Sequence, residues 1–270
     1  MEQEKGLFDT MLEKEHLEFL KKWFDAYVRL FNSGDAEWQK CIDIKIEHSL
    51  KVREACRVIG QSLNLSEGEL NLAEAAGLFH DIGRFEQFLT FRTFSDSASV
   101  DHAELGVQVL TRDHVLDHEN ETVKRVLLCA VAYHNKLAVP ENESETVRLF
   151  SCLVRDADKL DIWRVIGLHY TAEHGTGNGV NLGLPDTPGL SPDVVDGLLK
   201  YRQVRMTQLK NVNDFKLLQI GWAFDVNFPK TLELMRKRKC LEPIRNSLPD
   251  DPGVDEVFKA VTEFVERRLS

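Results

Sequence analysis

Apolar residues recur at three- and four-residue intervals through most of this chain, and no stretch sustains the strict alternation of a half-buried strand followed by a hairpin turn. That periodicity restricts the chain to an all-α fold, in which each helix buries one stripe against its neighbours. Helices are predicted over residues 11–32, 37–63, 67–79, 101–112, 120–135, 145–173, 192–210, 213–238 and 253–269. Ser66 with Glu69, and Asp101 with Glu104, have the spacing of a capping box that satisfies free amides at a helix start. With 43% apolar residues among 270, the chain can fill a substantial core, and a single all-helical domain over 1–270 is expected. The one shift in composition, the Gly- and Pro-rich stretch 175–193, is expected to be a loop of that domain rather than a linker. Its GTGNG segment lacks the Lys-Ser/Thr of a phosphate-binding loop and follows no strand; a flexible excursion is the simpler reading and a lid over a site the alternative.

Function is written in the polar residues that interrupt the apolar stripes. His48 is in register with Val52, Ala55, Ile59 and Leu63, and a helix there points its imidazole inward. His80 follows Leu70, Ala73 and Gly77; His134 follows Val123, Leu127 and Ala130; His102 shares its stripe with Leu105 and Val109. Asp158 follows Val147, Phe150 and Val154. One such histidine is ordinarily a hydrogen-bonded core residue, but five helical segments each carrying one inward polar group require a common explanation. A buried aspartate needs hydrogen bonds, a cation or a metal, and imidazole with carboxylate is a suitable donor set for first-row transition metals.

The remaining composition excludes several classes. A formal charge of −10 repels polyanions and argues against a broad nucleic-acid-binding surface. The five cysteines are scattered without a C-x-x-C pair, so neither a disulfide framework nor a zinc knuckle is expected. The first thirty residues hold no uninterrupted apolar segment of signal type, and the longest apolar run, Val126 to Tyr133, is far below the ~20 residues of a membrane-spanning helix. A cytoplasmic protein with no membrane association is the expectation.

The adjacent His80-Asp81 in GLFHDIGRFEQF, with a histidine upstream in IEHSLKV and an aspartate downstream in RDADKLD, resembles the HD superfamily of metal-dependent phosphohydrolases over about residues 44–165. The resemblance implies a helical bundle whose defining ligands are His48, His80, Asp81 and Asp158. Asp158 occupies the motif position, and its neighbours Asp156 and Asp161 are read as surface groups or outer supports. DHAELG at His102 and AYHNKLAVP at His134 resemble the subset that holds two metals, which implies Asp81 as the bridge and a divalent pair drawn from Fe, Mn, Co, Ni or Zn. No signature of one subfamily is present, so the substrate class implied is broad: a phosphate ester of a small metabolite such as a nucleotide. Arg84 after the His-Asp turn, Lys159 beside Asp158 and Lys136 after His134 are candidates to hold phosphate oxygens, Arg84 foremost. Phe85, Phe88, Phe91 and Phe94 recur every third residue and are read as packing, with stacking on a nucleobase the alternative. Two other functions stand beside the hydrolase: a di-iron oxygenase using a similar six-ligand site, and a noncatalytic nucleotide sensor.

Overall fold

A computed structural model describes residues 11–171 and 183–270, which contain helices and turns and no strand, so the all-α class holds. The 175–182 part of the Gly- and Pro-rich stretch lies outside the described residues, and 183–191 is irregular. The chain packs as two compact units that meet between Asp158 and Lys159. The first contains α1 (Lys14–Arg29), α2 (Ala36–Ser62), α3 (Glu67–Phe79), α4 (Gly83–Phe91), α5 (His102–Arg112), α6 (Glu121–Tyr133) and the start of α7 (Glu145–Thr171). The second contains the rest of α7 with α8 (Pro192–Tyr201), α9 (Val212–Gly221), α10 (Pro229–Lys237), α11 (Glu242–Asn246) and α12 (Pro252–Leu269).

α3 is the core of the first unit and is buried from Glu69 to Phe79, with α1, α2 and α6 packed around it. Its small residues allow that enclosure: a Cβ at Gly77 would meet Cys56 Sγ at 2.8 Å and the α2 backbone at 3.0 Å (Arg53 Cα). The polar groups it buries are matched. Glu74 accepts from Arg57 at 2.9 Å, and Glu69 closes the expected capping box with Ser66. At Asp101 only the forward half of the second box forms. Its carboxylate accepts from the amides of Ala103 and Glu104, while Glu104 turns toward Lys136, 3.7 Å away.

α4 was not among the predicted helices. It begins directly after the His80-Asp81 turn and stops where Arg92 turns left-handed at φ 57°. Its packing on α5 rests on backbone approach: a Cβ on Gly83 would lie 2.2 Å from His102 O and 2.5 Å from Gly106 N. These are backbone atoms held in a helix and cannot swing aside. Gly83→Ala is therefore expected to prise α5 from the turn after α3, at a cost of roughly 3 kcal/mol or more. Thermal unfolding checks it, and an unchanged midpoint would show that the close approach is dispensable.

In the second unit α9 is buried along its length except at Lys216, with α8, α11 and α12 against it. Asp214 is satisfied inside by Ser191 N and Oγ, both at 2.7 Å, and by Lys210 N at 2.8 Å. Two helix predictions are corrected here. The stretch 192–210 ends at Tyr201, where Arg202 turns left-handed, and 213–238 is divided into α9, a one-turn 3₁₀ segment Trp222–Asp225 and α10. The apolar spacing continues across the second break, but Pro229 has no amide hydrogen and clashes with the preceding turn, so it starts a helix instead of continuing one.

Candidate metal centre

Every residue of the expected ligand set lies in the first unit, and the fold brings all six together. His48 stands mid-way along α2, where its stripe faces α3. His80 and His134 are the C-cap residues of α3 and α6, His102 opens α5, Asp81 follows His80, and Asp158 is on α7. His48, His80, Asp81, His102 and His134 are buried and Asp158 nearly so.

Two groups form. In the first, His48 Nε2 is 3.1 Å from His80 Nε2 and 3.1 Å from Asp158 Oδ1, and His80 Nε2 is 3.6 Å from the same oxygen. In the second, His102 Nε2 is 2.9 Å from His134 Nε2, and Asp81 Oδ1 lies 3.2 Å and 3.6 Å from them. Asp81 joins the two: its other oxygen, Oδ2, is 3.7 Å from His48 Nε2 and 3.8 Å from His80 Nε2. One carboxylate thus presents one oxygen to each group.

Hydrogen bonds assign the tautomers. His80 Nδ1 lies 2.7 Å from Gly77 O and His134 Nδ1 2.7 Å from Val131 O, and a carbonyl can only accept, so these nitrogens carry the proton. His102 Nδ1 likewise donates to Asp96, at 2.7 Å to Oδ2. In the neutral rings Nε2 is then a lone pair. Burial pushes the His134 imidazole down to about 4, so it stays neutral at ordinary pH. The neutral His134 ring therefore aims its Nε2 lone pair at His102 Nε2 across 2.9 Å, with Asp81 Oδ1 3.2 Å from the latter. Two imidazoles and a carboxylate oxygen so grouped could hold a metal ion, and their chemistry fits a divalent transition metal.

Charge around the groups favours ionised carboxylates. Burial raises the Asp81 carboxyl, but Lys45, His80 and Arg84 together hold it well below the usual carboxylate range. Burial likewise raises Asp158, and the hydrogen bonds and charges of His48 and His80 outweigh it, leaving that carboxyl far below its ordinary value. Lys45 Nζ donates to Asp81 Oδ2 at 2.9 Å and lies 5.3 Å from the centre of the Phe94 ring. Lys45 was not singled out in the sequence, although it precedes His48 by three residues and so shares its face of α2.

The three predicted phosphate contacts are placed differently from one another. Arg84 Nε lies buried 3.4 Å from Asp81 Oδ1 without a hydrogen bond, while its Nη1 donates to Phe94 O at 2.5 Å, Asp96 Oδ1 at 2.8 Å and Gln87 Oε1 at 2.9 Å. Lys136 donates to Asp101 at 2.5 Å. Lys159 belongs to the second unit, where its ammonium is 2.9 Å from Asp225. Asp156 and Asp161 are not surface groups: both are buried, Asp161 in an ion pair with Arg164 at 2.6 Å. The phenylalanines divide. Phe85 is core, Phe91 is exposed, and Phe88 stacks on Phe94 with ring centres 4.6 Å apart.

Comparison with protein families agrees with this geometry, since the model of the HD domain matches residues 46–163. That segment is thus similar to the HD domain, a family most of whose members are metal-dependent hydrolases. No curated protein and no solved structure matches the chain. Among the described residues, no helix is long and apolar enough to cross a membrane.

Proposed function

We propose that the chain is a phosphohydrolase that cleaves a phosphate ester of a small metabolite at a two-ion centre, with nucleotides the first class to test. His48, His80 and Asp158 hold one ion, His102 and His134 the other, and Asp81 bridges them. The observation that carries the reading is the division of the Asp81 oxygens, Oδ2 toward the first group and Oδ1 toward the second. Divalent ions held there supply an activated water and offset charge on phosphoryl oxygens, so no side-chain nucleophile is required.

The chain's own residues bind and orient. Lys45 and Arg84 approach Asp81 from opposite oxygens and give an acidic protein a locally cationic site, which an anionic ester needs. Arg84 Nη1 is engaged by three acceptors and steadies the chain around Phe94 and Asp96. Lys45, held through Asp81 on a flexible stem, can swing to a substrate oxygen. Phe94, stacked on Phe88 next to Lys45, offers a half-buried ring for the substrate's organic part.

Protein loaded with Mn²⁺, Co²⁺ or Fe²⁺ is expected to release inorganic phosphate from at least one member of a panel of nucleotides and sugar phosphates. Chelation should abolish the release and metal should restore it. Metal-replete protein that releases no phosphate across the panel but consumes oxygen with an organic substrate would replace this reading with an oxygenase.

A further inference from the structure

Three imidazoles of the centre, His80, His102 and His134, are anchored in two distinct ways. His80 and His134, as C-cap residues, donate Nδ1–H to carbonyls three residues back in their own helices, groups that a helix end leaves free. His102 is the first residue of α5 and has no preceding turn to supply a carbonyl. Its Nδ1 instead donates to the carboxylate of Asp96, 2.7 Å from Oδ2 and 2.9 Å from Oδ1. Asp96 opens a one-turn 3₁₀ segment, Asp96–Ala98, in the connection between α4 and α5.

The surroundings of Asp96 are built to hold that carboxylate in place. Arg84 Nη1 donates to Oδ1 at 2.8 Å and Gln87 Nε2 donates to it at 2.9 Å. Gln87 is fully buried, and its amide also donates to Ser99 Oγ and Val100 O, each at 2.9 Å. Arg84 reaches Phe94 O as well. Two side chains of α4 therefore fasten the connection on both sides of Asp96.

We infer that Asp96 is a positioning residue that sets the affinity of the ion held by Asp81, His102 and His134, so that the two halves of the centre bind metal unequally. The inference rests on the two-ion reading above. A carboxylate on Nδ1–H fixes the tautomer and ring plane of His102 and makes its Nε2 a stronger donor than a backbone carbonyl would. The other half has no such support at His80, whose anchor is neutral. The ion beside His102 thus depends on a connection between helices, while the ion beside His80 depends on the core helix itself.

The test is equilibrium dialysis of the full chain against Mn²⁺, with bound metal counted by elemental analysis and fitted to two sites. Asp96→Asn keeps the size of the side chain and an acceptor for Nδ1–H but removes the charge. It is expected to weaken one Mn²⁺ by roughly 10- to 100-fold and leave the other unchanged. His102→Ala should weaken the same ion, and adding Asp96→Asn to it should have little further effect, as expected for residues that act through one another. Equal weakening of both ions, no weakening of either, or full additivity with His102→Ala overturns the inference. Ser99→Ala loosens the connection without touching His102; if it weakens the ion as much as Asp96→Asn does, loop order and not the carboxylate is responsible, and the inference fails. Wild-type protein that binds a single Mn²⁺ would instead overturn the two-ion reading on which it rests.

Discussion

Asp81→Ala is expected to remove both bound ions and to reduce hydrolysis by ~10³-fold or more, while the far-UV spectrum stays that of the wild-type helices. The two effects share one cause. Asp81 Oδ1 lies 3.2 Å from His102 Nε2, and Oδ2 faces His48 and His80 within 3.8 Å, so its loss takes a ligand from each group at once. The fold should survive for a separate reason. Asp81 is in the turn after α3, outside the apolar contacts of that helix, and Lys45 can carry its ammonium outward to water along its own stem when its partner is gone. Arg84 keeps Asp96 as a counter-charge. His80→Ala should give the same loss of activity but spare part of the metal, since it strips only the first group. Full activity in Asp81→Ala with metal still bound would sink the site assignment.

Most of the helices and five of their inward polar residues were legible because period and burial are local properties of a sequence. A histidine at the end of an apolar stripe must point where the stripe points, and His48, His80, His102 and His134 all do. What the sequence hid was pairing between elements. Nothing in TFSDSASVDH distinguishes Asp96 from other loop aspartates until the α4–α5 connection folds it back to 2.7 Å from His102. Lys45 was legible only as one lysine on a helix face, and its significance lies in the 2.9 Å contact with Asp81 in the turn after α3. Of the two readings of Asp156 and Asp161, the surface one fails for the opposite reason. Charged residues on a helix are ordinarily solvated, but α7 is enclosed along this stretch, with Val154, Arg155, Asp156, Ala157 and Leu160 all buried. Arg155 has a use there: it donates to the carbonyls of Lys136 and Leu137, tying α7 to the chain that follows His134. The short helix α4 escaped because HDIGRF carries no cap signal; Gly83 is needed for approach to α5 rather than for a turn.

Replacing His102 and His134 together with alanine is expected to lower bound metal from two ions to one and to reduce hydrolysis by ~10²-fold or more. His48, His80 and Asp158 lie 3.1 Å to 3.6 Å apart without help from either residue, so the first ion should keep its ligands together with Asp81 Oδ2. The folded protein should tolerate the change, at a cost of about 1–3 kcal/mol for each acceptor left without its donor, Asp96 in one case and Val131 O in the other. Asp96 retains Arg84 and Gln87, which lessens its share. The alternative is that the two imidazoles contact substrate in a centre with one ion. Elemental analysis then gives one metal in both the wild type and the double variant, and only KM and kcat move. The 2.9 Å approach of His102 Nε2 to His134 Nε2, with both Nδ1 atoms donating elsewhere, favours the first outcome, because the neutral His134 ring turns a lone pair and no proton toward that group, which suits a cation and not a phosphate oxygen.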